Sequence, residues 1–192
     1  MKWIGVTGGM GCVKSTVLIF FKDLGYGVVS ADAIVHELYE SPAVLKEIST
    51  KLSLAPEGLD KKNIASLVFN DAQKRKVLES VLHPKIREEV LKRKEQFKKQ
   101  GLAVSFYEVP LLFENKMQSF FDCTLCVSVE KFVQMKRLKE RNGWSDDEIE
   151  SRLSAQMPLE EKKALADFVI DNSSSLEAVS YTHLTLPTIY SV

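Results

Sequence analysis

WIGVTGGMGCVKST, residues 3 to 16, opens as a short apolar run, stops at a cluster of glycines and passes into a lysine and two hydroxyl residues. The first five, WIGVT, have the composition of a buried strand, and a helical pattern from Lys14 to Leu24 follows, with Gly25 placed to cap it. GGMGCVKST, residues 8 to 16, therefore joins a strand to a helix, which is the position of a phosphate-binding loop. Such a loop curls its backbone so that several N–H groups converge on phosphate oxygens, and the helix adds the positive end of its dipole. Lys14 is expected at the β- and γ-phosphates, and the Ser15 hydroxyl on Mg²⁺. Gly9, Gly11, Cys12, Val13 and Thr16 complete the set expected around a bound triphosphate. The pattern GxxxxGK[ST] requires glycine directly before the lysine, and this chain has Val13 there. A β-branched residue resists positive φ, and holding one in that conformation costs about 1–3 kcal/mol. A glycine-rich turn that merely joins strand to helix is the plainer alternative, and it does not account for three glycines followed by Lys-Ser-Thr.

Working outward, a second short strand at Tyr26 to Ser30 ends at Ala31 and Asp32, and IVHELYES after it reads as helix. From about 33 to 100 there is no convincing strand. The helices there are punctuated by Pro42, a turn around Pro56 to Gly58, Asn70, the pair His83 and Pro84, and Gly101. Strand character returns at Leu102 to Val109, at Asp122 to Val129 and at Asp167 to Ile170. Between the last two sit a helix from about Glu130 to Asn142, ended by Gly143, and one opened by Ser145 with Glu148 at capping-box spacing. Strands separated by helices predict an α/β fold, a parallel sheet flanked by helices in the manner of P-loop NTPases. The helical stretch after the second strand is too long for a simple crossover and reads as a subdomain.

The composition narrows the function classes. With 192 residues, 45% of them hydrophobic and 27% charged, the chain suits one domain with a smaller inserted subdomain and excludes a disordered or collagen-like chain. Lys plus Arg equals Asp plus Glu at 26 each, which argues against a generic nucleic-acid or acidic-membrane binder. The N-terminus reaches glycine at position 5 without an export-type apolar run, and no stretch approaches the ~20 apolar residues that span a bilayer, so a cytoplasmic protein is expected. Cys123 and Cys126 have CxxC spacing, but within a strand that offset points them to opposite faces, and buried structural thiols are expected. The end of the chain, 178 to 192, contains no Asp, Glu, Lys or Arg; it reads as an atypical, non-native tail, with a real edge strand as the alternative.

Several segments in order resemble one family. IGVTGGMG followed by KST, SADAIVHEL after the second strand, LHPKIR at 82 to 87, VPLLFE at 109 to 114, QMKRLKERNGWSDDEIESRLSAQMP at 134 to 158 and ADFVIDNSSSLE at 166 to 177 are similar to dephospho-CoA kinases. The resemblance covers residues 3 to about 177 and implies ATP-dependent phosphorylation of the 3′-hydroxyl of dephospho-CoA, with Mg²⁺, in a single kinase domain of 1–177. The core is then expected at about 1–32, 102–129 and 166–172, an acceptor-binding helical subdomain at about 33–100 and a lid at about 130–160. The resemblance places Asp32 at the acceptor hydroxyl, where it orients the hydroxyl or accepts its proton, although Asp32 also suits a helix N-cap. The family commonly carries a further aspartate two residues earlier, where this chain has Ser30.

From Lys131 to Arg141 there are five basic residues and one acidic, with Arg137 and Arg141 on one helix face. The resemblance makes this the lid, with Arg141 closing on the charge of the transferring phosphoryl group and Arg137 on ATP. Arg152 and Gln156 on the next helix are lesser candidates. Between Gln73 and Gln100 ten Lys or Arg stand against four Glu, and the resemblance assigns this basic stretch to the phosphates of dephospho-CoA, with His83, Pro84 and Arg87 nearest the ligand. Pro110 to Glu114, with Pro110 and Leu111 foremost, are expected to shape the acceptor pocket and Asn172 to border the adenine of ATP. The protein is expected as a monomer or weak homo-oligomer with no nucleic-acid or membrane partner. Two other readings compete: a nucleotide- or CoA-binding protein whose catalysis Val13 impairs, and a P-loop kinase for another nucleotide-like acceptor.

Overall fold

A computed structural model describes residues 1–54, 61–69 and 71–173. The turn expected at Pro56 to Gly58, the break at Asn70 and the uncharged end at 178–192 lie outside those residues. The elements run β1 (Lys2–Gly8), α1 (Lys14–Asp23), β2 (Gly27–Ser30), α2 (Ala31–Glu40), α3 (Pro42–Leu52), α4 (Lys61–Phe69), α5 (Ala72–Lys99), β3 (Val104–Glu108), β4 (Cys123–Ser128), α6 (Lys131–Asn142), α7 (Asp146–Ser154), α8 (Leu159–Leu165) and β5 (Phe168–Asp171). The strands form one sheet in the order β2-β3-β1-β4-β5. β1 runs parallel to β3, with Val6 opposite Glu108, and to β4, with Val6 opposite Leu125. β4 is parallel to β5. Because each parallel neighbour needs a crossover, β1 ends up central, and the loop that leaves its carboxyl end lies where open α/β sheets bind ligands.

By its internal contacts the chain divides into two compact units, Met1–Val28 with the chain from Gly101 on, and Val29–Gln100. The first holds the sheet core. Val6, Val17, Leu18, Phe21, Phe106, Leu125, Val127 and Ile170 are buried together, and Phe21 stacks on Phe106 with ring centroids 4.2 Å apart. Polar pins set the strand entries: Asp122 accepts from the Trp3 N–H at 2.6 Å, and Asp167 accepts from the Thr124 N–H and hydroxyl at 2.7 and 2.8 Å. Of the two thiols expected to be buried, Cys126 is buried and Cys123 only half-buried, and burial pushes the Cys126 thiol up to about 11. Among the described residues no group of three His, Cys, Asp or Glu could hold a metal, and no helix is long and apolar enough to cross a membrane.

The second unit packs α2, α3 and α4 on α5 around Val44, Ile48, Leu52, Ile64, Leu78, Val81 and Leu82. Two sequence expectations change here. His83 and Pro84 do not break a helix, because α5 runs unbroken for 28 residues with Pro84 inside it. The proline removes one intrahelical bond on an exposed face while Val81, Leu82 and Val90 are held in apolar contacts, so packing overrides the local penalty. Asp32 is not an N-cap: β2 stops at Ser30, which takes the cap position, and Asp32 lies in the first turn of α2.

Candidate active site

The loop between β1 and α1 is built by close approach. A Cβ on Gly8 would stand 2.3 Å from the Val127 carbonyl oxygen, and Gly11, at φ 77°, faces Leu138 of α6, whose Cγ would be 2.9 Å from an added Cβ. Only glycine fits at both positions. Val13 does what its side chain opposes: it takes φ 56° and ψ 45°, left-handed, as the N-cap of α1. The backbone thus follows the path the missing glycine would follow, at the conformational cost of a branched residue.

The loop's carbonyls are turned toward protein donors. Lys14 Nζ donates to the carbonyls of Gly8 and Gly9, both at 3.2 Å. Gln134 Nε2, from α6, donates to the Met10 carbonyl at 2.6 Å, and Asn172 Nδ2, just after β5, donates to the Cys12 carbonyl at 2.9 Å. The Thr16 N–H closes on the Val13 carbonyl at 3.1 Å. Arg137 Nη1 in turn donates to the Asn172 carbonyl at 2.8 Å. A loop whose carbonyls are engaged in this way offers donors and positive potential to an anion. Burial pushes the Cys12 thiol up although Lys14, Lys162 and Arg137 all act to lower it, so this buried loop residue stays a neutral thiol.

Of the residues expected at the triphosphate, the structure brings Gly9, Gly11, Cys12 and Val13 into the loop, puts Lys14, Ser15 and Thr16 in the first turn of α1, and sets Arg137 and Asn172 into the loop's frame. Ser15 is exposed in the first turn of α1. Arg141, one helical turn beyond Arg137, is also exposed and donates to Asn142 Oδ1 at 3.4 Å. Arg152 lies over the Trp144 ring, 4.2 Å from its centroid, and the Ser145–Glu148 capping box forms as its spacing predicts. Asp32, His83, Pro84 and Arg87 belong to the second unit, where all four are exposed and the last three line a shallow hollow with Glu88 and Leu91.

A sequence model of the dephospho-CoA kinase family matches residues 2–178. The chain belongs to the dephospho-CoA kinase family. It is 40% identical over 188 residues to the dephospho-CoA kinase of Carboxydothermus hydrogenoformans, covering 95% of this chain and 91% of that protein. It is 39% identical over 178 residues to that of Bacillus thuringiensis subsp. konkukian, covering 90% and 89%. Among solved structures it superposes on the dephospho-CoA kinase from Campylobacter jejuni with a TM-score of 0.70 at 31% identity, covering 95% of this chain and 93% of that one. The chain is a kinase of this family, and its five-stranded sheet is the family's sheet.

Within this dephospho-CoA kinase frame, the structure brings in residues that the sequence does not single out. Gln134 was one polar residue in a charged helix; its signal is the i, i+4 spacing to Leu138, which puts both on the loop-facing side. Lys162 sits in LEEKKAL, which reads as a solvated face, yet it is wholly buried with Nζ 2.8 Å from Glu114 Oε1 and 3.0 Å from the Pro110 carbonyl. Burial pushes the Glu114 carboxyl up, but Lys162, its own N–H and that of Met157 outweigh this and leave it below the usual carboxylate range. Pro110 is half-buried with its carbonyl facing Thr7 and Lys162, whereas Leu111 is exposed. The basic excess of α5 is partly structural: Lys85 pairs with Glu47 of α3 at 2.9 Å, Arg93 with Glu37 of α2, and Lys92 with Glu89 at 3.4 Å.

Proposed function

We propose that this chain transfers the γ-phosphoryl group of ATP to the 3′-hydroxyl of dephospho-CoA, giving CoA and ADP, the closing step of coenzyme A formation. The observation that carries this reading is the loop, whose backbone keeps the phosphate-binding path although a valine occupies its last position. Lys14 leaves the Gly8 and Gly9 carbonyls for the β- and γ-phosphates, and the amides at the start of α1 receive the remaining charge. Asn172 borders the adenine of ATP while its side chain holds the Cys12 carbonyl.

Mg²⁺ fits this site on the chemistry of its donors. The exposed Ser15 hydroxyl is a hard oxygen donor of the kind Mg²⁺ takes, and it would hold the ion at the start of α1. The metal supplies charge neutralisation between the phosphates.

Asp32 orients the acceptor hydroxyl and receives its proton, Arg141 meets the charge that spreads over the transferring group, and Arg137 acts on ATP from the loop's frame. His83, Pro84 and Arg87 hold dephospho-CoA in the helical unit 29–100, with Pro110 and Leu111 shaping its reactive end. Catalysis is positioning plus electrostatic stabilisation. A monomeric or weakly associating cytoplasmic enzyme without nucleic-acid or membrane partners completes the reading.

A coupled assay of ADP release tests it on the wild type and on Val13→Gly. ADP release that depends on dephospho-CoA is expected in both. Absence from both forms sinks the proposal, and turnover by the glycine form alone would mean that the valine disables the loop.

A further inference from the structure

Lys162 is the only charged side chain among the described residues that is fully buried. It joins four parts of the first unit. Its ammonium donates to Glu114 Oε1 at 2.8 Å and to the Pro110 carbonyl at 3.0 Å, the same carbonyl that receives the Thr7 hydroxyl at 3.1 Å. Glu114 Oε1 also accepts the Met157 N–H at 3.1 Å, in the link from α7 to α8. Thr7 immediately precedes the phosphate loop, Pro110 and Glu114 belong to the turn that leaves β3, and Met157 is where the α6–α7 pair returns to the sheet. Stability does not explain the arrangement. Desolvating the lysine wholly and the glutamate in part is costly, an apolar pair of similar volume is often as stable, and Glu114 Oε2 is buried without a hydrogen-bond partner. What an ion pair with directed hydrogen bonds adds over an apolar contact is a single register.

We propose that Lys162 and Glu114 are positioning residues for phosphoryl transfer. They form a pivot that fixes where the α6–α7 pair rejoins the sheet relative to the end of β1, and so where the helix bearing Arg137 and Arg141 stands against the phosphate loop. The inference rests on the kinase reading above, and its test separates the two. Because Lys162→Met alone leaves the half-buried Glu114 without its cation, the decisive variant is the double Lys162→Met/Glu114→Leu.

With the fold intact, its Tm stays within about 5 °C of wild type. Its kcat with ATP and dephospho-CoA falls about tenfold while both KM values move less than about twofold, the mark of an interaction needed in the transition state. Amide hydrogen exchange across 155–165 accelerates about tenfold, because the link has lost its anchor. An unchanged kcat, unchanged exchange, or a Tm lower by more than about 10 °C, which would show a purely structural pair, overturns the proposal. If the wild type itself fails to phosphorylate dephospho-CoA, the kinase reading falls, and exchange with Tm alone decides the pivot.

Discussion

Val13 shows how one position can violate its local preference and still carry the fold. Its left-handed conformation is imposed by glycines on one side and α1 on the other, with the neighbouring carbonyls tied to Gln134 and Asn172. Replacing it by glycine relieves about 1–3 kcal/mol of strain and gives back roughly 0.5–1 kcal/mol in chain entropy. The net gain is about 0–2.5 kcal/mol, so Val13→Gly should raise Tm by up to about 10 °C in a calorimetric scan, and a fall in Tm would mean that the loop is unstrained. Gln134→Leu leaves the Met10 carbonyl without its donor at a cost of about 1–3 kcal/mol, so the Kd for ADP by titration calorimetry should weaken about tenfold. Unaltered ADP affinity would remove Gln134 from the loop's support. Lys14, Ser15 and the glycines were legible because backbone geometry demands those residue types at that spacing. Gln134 and Lys162 were not, because each gains its role from a partner more than fifty positions away or on another element.

The His83-Pro84 pair predicts a break, yet α5 is one helix, since a proline's local cost can be outweighed by the burial of Leu78, Val81, Leu82 and Val90. Pro84→Ala restores the missing intrahelical bond and should raise Tm measurably; if Pro84 also shapes the acceptor hollow, KM for dephospho-CoA rises in the same variant while KM for ATP holds. A second expectation concerns the β4–β5 edge. Hydrogen bonds from the Thr124 hydroxyl and N–H hold the Asp167 carboxyl below the usual aspartate range. A depressed folded value contributes stability that is complete above about pH 4 and is lost as pH falls through that folded value. Asp167→Asn should accordingly lower Tm at neutral pH and flatten the acid limb of the Tm–pH curve, and parallel curves for the two proteins would contradict the assignment. The strands and helices α6 and α7 are legible in the sequence to within a few residues, because apolar runs and the Ser145–Glu148 cap are local signals.

For the whole protein, the ligand-linked prediction is thermal. A triphosphate that binds only the folded state at about 100 times its Kd adds about 2.7 kcal/mol, so ATP with Mg²⁺ should raise Tm by roughly 5–10 °C. No shift at that saturation would point to a loop that does not grip phosphate. The sequence by itself determined the alternation of strands and helices, the place and chemistry of the phosphate loop, and the family, because those depend on residue type and spacing along the chain. Tertiary structure decided which side chains hold that loop, that a valine could be bent to its path, that a lysine in a charged run lies in the interior, and that part of the basic helix is neutralised by carboxylates from α2 and α3. Those outcomes turn on burial and on partners distant in sequence, and local preference is silent about both.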